Sequence, residues 1–466
     1  MEPLNNNQPT TIKLFMVGSL LLLALGMLFG WIGALQYLVP GFLVKWLSFE
    51  KIRPLHVSSV VFWIILAAMG SVLIYVQEHT GRKLYSALLT RLQLSLFSLS
   101  IPAIFISYCM GVFGGREYWE FPPVLALPII AGWILFLINF TRSFGTFKQQ
   151  PVYIWMWLTG IIFFLFTFLE SYLWVFPYFR NNIINDMTVQ WKSYGSMVGA
   201  WNMLIYGSSI FLMQKISGHK NDSHSRMAFA LYFTGLFNLM FNWGHHIYTL
   251  PTYHFIQYIS YVVSMTELLI LGRIIWQWKS SVSKAAIHFH HTAFRFLVAA
   301  DIWIFLSLLL AVLMSVPAIN VYTHGTHITV AHAMGTTIGI NSFLLLAIAV
   351  DTLSNSCSKE SINEKWITKG YWITNISLFI FWISLVIAGI LKAKWQMSTE
   401  KIPFSTMMLQ LRPFFIVFLF SGLTMIAGFF IILYPILKKQ ISCYLVYILG
   451  ERNPAEEPIR GTISMD

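Results

Sequence analysis

Stretches of about 20 apolar residues recur from one end of this 466-residue chain to the other, each long enough to cross the roughly 30 Å hydrocarbon core of a bilayer. In lipid, backbone N–H and C=O groups must be satisfied within the protein, which leaves helices or closed barrels. The shorter alternating segments of a barrel are absent. Composition agrees: 57% of residues are apolar and 10% charged, against roughly 25% charged in soluble domains. A water-soluble enzyme is excluded. The expected fold class is an all-α membrane protein, a single integral-membrane domain over residues 1–466.

Twelve spans are predicted, at about 13–38, 57–77, 94–113, 123–141, 152–175, 194–214, 226–246, 253–276, 293–316, 328–350, 370–391 and 412–436. Polar tails flank them, an N-tail at about 1–12 and a C-tail at about 437–466. The net charge of +12 has its source in loop basicity rather than in nucleic-acid binding. With the N-terminus inside, 20 of the 30 Lys and Arg residues fall on the inner side, which places both termini in the cytoplasm. The three cysteines, Cys109, Cys357 and Cys443, are widely separated. They predict neither a disulfide framework nor a CxxCH haem-attachment site.

With orientation set, the histidines become informative. His56 opens span 2, His245 and His246 close span 7, and His324, His327 and His332 begin span 10. All six fall at the outer ends of their helices. Any one of them reads equally as a satisfied interfacial histidine; six on one face of a chain with 13 histidines read as a site. Residues two apart on a helix diverge by about 200°, so His332 and Met334 point to opposite sides of span 10. Imidazole is the usual protein ligand of iron and copper, and thioether an accepted axial haem ligand. Glu267 lies about halfway down span 8, where a carboxylate is costly and marks function; Asp301 in span 9 sits nearer the inner side. The outer loop between spans 3 and 4 reads Gly114-Gly115-Arg116-Glu117-Tyr118-Trp119-Glu120-Phe121-Pro122.

Three islands carry a resemblance to a known family: Gly115-Arg116-Glu117-Tyr118 to Pro122, Asn242-Trp243-Gly244-His245-His246, and Tyr322-Thr323-His324-Gly325-Thr326 running on to His332. With the His246-to-Glu267 interval they resemble subunit I of the haem-copper oxidase superfamily, and within it the catalytic subunit of nitric oxide reductase. The resemblance implies a twelve-helix bundle holding two haems b, one low-spin and one high-spin, and a non-haem iron (or copper), with calcium at the outer loop. His56 would be an axial ligand of the low-spin haem and His332 the proximal ligand of the high-spin haem. His245 and His246 would hold the non-haem metal, with Glu267 beside it as ligand or proton donor. Arg116 would grip propionates and Glu117 would bind calcium.

Three departures accompany these matches. The family's span-6 histidine falls on Tyr194, its span-6 glutamate on Val198, and its span-10 H-x-H motif reads His332-Ala333-Met334. Met334 would therefore be the second low-spin ligand, and Tyr194 stands at the non-haem metal. The implied activity is reduction of nitric oxide to nitrous oxide in the bacterial inner membrane, with a cytochrome c-type subunit or other electron donor on the outer face. Oxygen reduction and a non-catalytic haem subunit are the alternatives. A twelve-span secondary transporter would place its polar residues near the midplane, whereas here they crowd one face.

Overall fold

The computed structural model describes residues 11–218, 222–281, 291–354, 362–400 and 402–449. The chain is a helical bundle, and no strand lies among the described residues. The helices are α1 (Thr11–Leu38), α2 (Phe49–Thr80), α3 (Ala87–Cys109), α4 (Ala126–Arg142), α5 (Val152–Glu170), α6 (Ile183–Ser217) and α7 (Arg226–Phe241). They continue as α8 (His254–Ser281), α9 (His291–Ser315), α10 (His327–Met334), α11 (Phe343–Ser354), α12 (Glu364–Met397) and α13 (Phe404–Leu449). A π-helical segment, Gly335–Ser342, joins α10 to α11, and a 3-10 turn, Asn242–Ile247, follows α7.

Among the described residues ten helices are long and apolar enough to cross a membrane, as a multi-pass membrane protein requires. Expected spans 7 and 8 coincide with α7 and α8, which are not among those ten. Several boundaries differ from the hydropathy reading, because polar caps rather than apolar runs set them. Ser86 accepts a hydrogen bond from the Leu89 N–H and starts α3 ahead of residue 94. Asn182 accepts from Ile184 and Asn185 and starts α6 well before residue 194. The expected C-tail is corrected too: α13 continues through residue 449. The rest of that tail, most of the N-tail, His219, His288 and His290 lie outside the described residues. Cys109 is free, but Cys443 on α13 is disulfide-bonded.

At the centre stands α2, with an unbroken buried run from Val61 to Leu73; a helix apolar all round is one enclosed by others. Its polar exceptions are hydrogen-bonded. Trp63 Nε1 donates to Ser342 Oγ at 3.0 Å, and Tyr75 Oη donates to Asp351 Oδ2 at 3.1 Å. These bonds fix α2 parallel to the segment Gly335–Ser342 and α11. At the end away from the paired histidines, Lys215 of α6 bridges Asp351 (2.8 Å) and Glu78 (3.1 Å), tying α2, α6 and α11 together.

Candidate metal and haem site

The turn Asn242–Ile247 carries His245 and His246 and is strapped to α8. Ser260 Oγ donates to the Asn242 carbonyl at 2.9 Å, and Ser264 Oγ donates to Asn242 Oδ1. The same Oδ1 accepts from His245 Nδ1 at 3.0 Å. Because Oδ1 only accepts, the proton is on Nδ1 and Nε2 keeps its lone pair, the tautomer a metal ligand needs. The two imidazole rings are 4.2 Å apart, tilted by 38°. Glu267 lies on α8 one turn beyond Ser264; its side chain falls outside the described residues.

Two glycines of α6 bring this turn close. A Cβ at Gly195 would lie 2.6 Å from Trp243 Cβ, and one at Gly199 would lie 2.9 Å from Leu239 Cα. One turn earlier Trp191 stacks on His246, ring centres 5.1 Å apart and planes 11° apart. Positions 191, 195 and 199 thus face 246, 243 and 239 along one antiparallel seam. Tyr194, beside Gly195, is consequently level with the histidine pair. It is buried, its hydroxyl makes no hydrogen bond, and its ring meets Tyr118 edge-on at 5.2 Å.

His332 belongs to the same neighbourhood, within electrostatic reach of His245 and His246. Its Nδ1 lies 3.3 Å from the Ser307 carbonyl of α9, so this ring too keeps Nε2 free. A π-helical segment begins three residues later, an irregularity frequent at functional sites. His324 caps the short helix Pro317–Thr323, and burial lowers its imidazole below the ordinary value. His327 packs on Phe415 of α13 at 5.0 Å.

His56 stands apart, between α1 and α2. Its Nδ1 donates to the Gly26 carbonyl at 2.7 Å, and a Cβ at Gly30 would lie 2.7 Å from the ring. Only glycine there leaves room for the imidazole. The parallel register of α2 places Met334 level with it: stepping back two turns from Trp63 to His56 covers about 10 Å. The same distance back from Ser342 reaches the end of α10, where Met334 is partly buried. His56, His245 and His332 each rest on a fixed acceptor through Nδ1 and offer Nε2, which fits axial ligation of haem and coordination of a second metal.

The loop from residue 110 to 122 is a compact brace. Gly114 and Gly115 N–H groups both donate to the Glu120 carbonyl, and Trp119 N–H donates to the Arg116 carbonyl. A Cβ at Gly115 would lie 1.7 Å from the Trp119 carbonyl oxygen. Tyr118 is left-handed at φ 69°, a conformation a non-glycine residue holds only when its surroundings enforce it. Burial, with Glu117 next to it, raises the Tyr118 hydroxyl to about 12. The Arg116 guanidinium is taken up by Asp186 (Nη2 to Oδ2, 2.7 Å) and lies 4.6 Å over the Trp174 ring. Glu117 and Glu120 both pair with Arg53 of α2. Sequence reasoning missed Arg53, although a cation three residues before His56 is the signal that could have found it.

Among the described residues no group of three His, Cys, Asp or Glu side chains is disposed to hold a metal ion; the Glu267 side chain is not among them.

The chain is similar to known proteins along most of its length. A nitric oxide reductase chain of Stutzerimonas stutzeri is 23% identical over 429 residues, covering 84% of this chain and 85% of that protein. A cytochrome c oxidase subunit 1 homolog of Azorhizobium caulinodans is 22% identical over 441 residues, covering 86% and 77%. A heme-copper terminal oxidase solved by cryo-EM shares the fold with TM-score 0.71 at 11% identity, over 93% of this chain and 84% of that one. The family of cytochrome c and quinol oxidase polypeptide I matches residues 10–424. The chain therefore belongs to that family, the haem- and metal-bearing subunit I of membrane oxidoreductases.

Proposed function

We propose that this chain is a divergent nitric oxide reductase catalytic subunit, joining two nitric oxide molecules with two electrons and two protons to give nitrous oxide and water. The observation that carries the reading is the seam that holds His245 and His246 against α6 and within reach of His332. When bound, two haems b and a non-haem iron would supply electron transfer and a Lewis acid. His56 and Met334 would hold one haem and His332 the other, with His245 and His246 on the iron.

The chain's own residues supply position and protons. Asn242 fixes the His245 tautomer, Ser264 fixes Asn242, and Trp191 holds the His246 ring plane. Two histidines with Glu267 would form the two-His-one-carboxylate set of open non-haem iron sites. Tyr194, buried beside the pair, takes the place of the family's third histidine and contributes a hydroxyl to the same pocket. Glu267, placed within the membrane span, is the proton donor. Electrons come from a cytochrome c-type or other donor at the histidine end, which faces the periplasm when both termini are cytoplasmic.

The test is turnover of the purified chain with an artificial reductant, followed by a nitric oxide electrode and gas chromatography of nitrous oxide. One nitrous oxide for every two molecules of nitric oxide consumed is expected, lost in Glu267→Gln. Oxygen uptake without nitric oxide consumption would favour the oxidase reading, which rests on the likeness to the oxidase homolog.

A further inference from the structure

The resemblance assigns Glu117 to a calcium ion, and the structure puts something else against it. Arg53 spreads its guanidinium between two carboxylates, Nη1 to Glu120 Oε1 at 2.6 Å and Nη2 to Glu117 Oε1. Each nitrogen serves one carboxylate, so the fork's rigid geometry sets their separation. We propose that Arg53 is a tethered replacement for a divalent cation, fastening the 110–122 loop to α2 without calcium.

Three observations support this. First, calcium requires six to eight oxygen ligands, whereas the charge facing these two carboxylates is already supplied by a covalently attached cation. Second, α2 also holds the end of α3 that leads into the loop. Lys51 Nζ donates to the Cys109 carbonyl at 2.9 Å, and Ser58 Oγ and Tyr108 Oη share a hydrogen bond at 3.0 Å. Third, the triad is partly shielded, with side-chain exposures of 36% for Arg53, 37% for Glu117 and 15% for Glu120. An ion pair there is less screened than one on an open surface. Arg53 precedes His56 by one helical turn, so the loop is anchored to the very turn that carries the imidazole. Arg53 is thus a positioning residue, and its role is independent of which gas the protein reduces.

The test compares the purified full chain with Arg53→Met and Arg53→Lys, using calcium content, terbium luminescence sensitised by nearby Trp and Tyr, and thermal unfolding with and without chelator. The unaltered protein should carry no stoichiometric calcium, show no sensitised terbium signal, and keep its unfolding midpoint when chelator is added. Arg53→Met frees an oxygen on each carboxylate. It should unfold at lower temperature, recover with added calcium, and gain the terbium signal; Arg53→Lys should stay calcium-independent. One calcium per unaltered chain, with a midpoint that falls on chelation, would overturn the proposal. If Arg53→Met fails to fold, the unaltered chain's calcium content and chelator response still decide it. A folded Arg53→Met that calcium neither binds nor stabilises would also count against it.

Discussion

The His246 imidazole lies flat against the Trp191 indole, 5.1 Å between ring centres. That stack closes a seam in which α6 contributes Trp191, Gly195 and Gly199 and the α7 end contributes His246, Trp243 and Leu239. The paired histidines are therefore held on both sides, by α8 through hydrogen bonds and by α6 through close packing.

The hydrogen-bonded side predicts a metal effect. Asn242→Leu removes the acceptor of His245 Nδ1 and of Ser264 Oγ. Loss of such an orienting partner typically lowers metal affinity about 10- to 100-fold. Chelator competition, read as non-haem iron retained per chain, should show that loss with haem content unchanged.

The packed side predicts a stability effect. Gly195→Ala inserts a methyl where Trp243 already stands at 2.6 Å. Overpacking of this kind costs about 1–3 kcal/mol. A lower unfolding midpoint, accompanied by iron loss, is expected. An unchanged midpoint would mean that α6 and the histidine turn are not in register as described.

Haem content separates His56 from His332. His56→Ala should abolish the low-spin signal and leave the high-spin one, and His332→Ala the reverse, each reducing pyridine haemochrome by about half. Gly30→Ala should mimic His56→Ala in part, because its methyl would press on the imidazole at 2.7 Å.

At the opposite end, Lys215→Met should be worse than Asp351→Asn. Asp351 is the more enclosed partner, 1% exposed against 32% for Lys215. Removing the cation leaves that carboxylate charge without its Lys215 counterion, a loss of about 3–5 kcal/mol for a buried pair. Asp351→Asn removes the buried charge itself and leaves Lys215 its bond to Glu78. Chemical denaturation of the two variants in one detergent gives the order.

Much of this was legible in the sequence, for physical reasons. Apolar runs give membrane helices because lipid leaves the backbone no other partner. The histidines were legible as a group because six of the 13 fall at the outer helix ends. What could not be read was direction. His245, His246 and His332 gather, while His56 stands apart against Gly26 and Gly30, and only the register of α2 brings Met334 level with it. Arg116 was expected to grip propionates; its bond to Asp186, seventy positions away, could not be read because no local pattern links the two. Arg53 was overlooked because a single arginine at a helix start looks like an interfacial anchor until the loop folds over it. Boundaries failed where Ser86 and Asn182 cap helices beyond the apolar stretch, since capping depends on one side chain and hydropathy on many.

The most direct measurement of the central claim is total iron set against pyridine haemochrome in the purified chain. About three irons for every two haems, with His245→Ala lowering iron but not haem, is the predicted result. A chain holding iron only in equal number to haem, unaffected by His245→Ala, would contradict it.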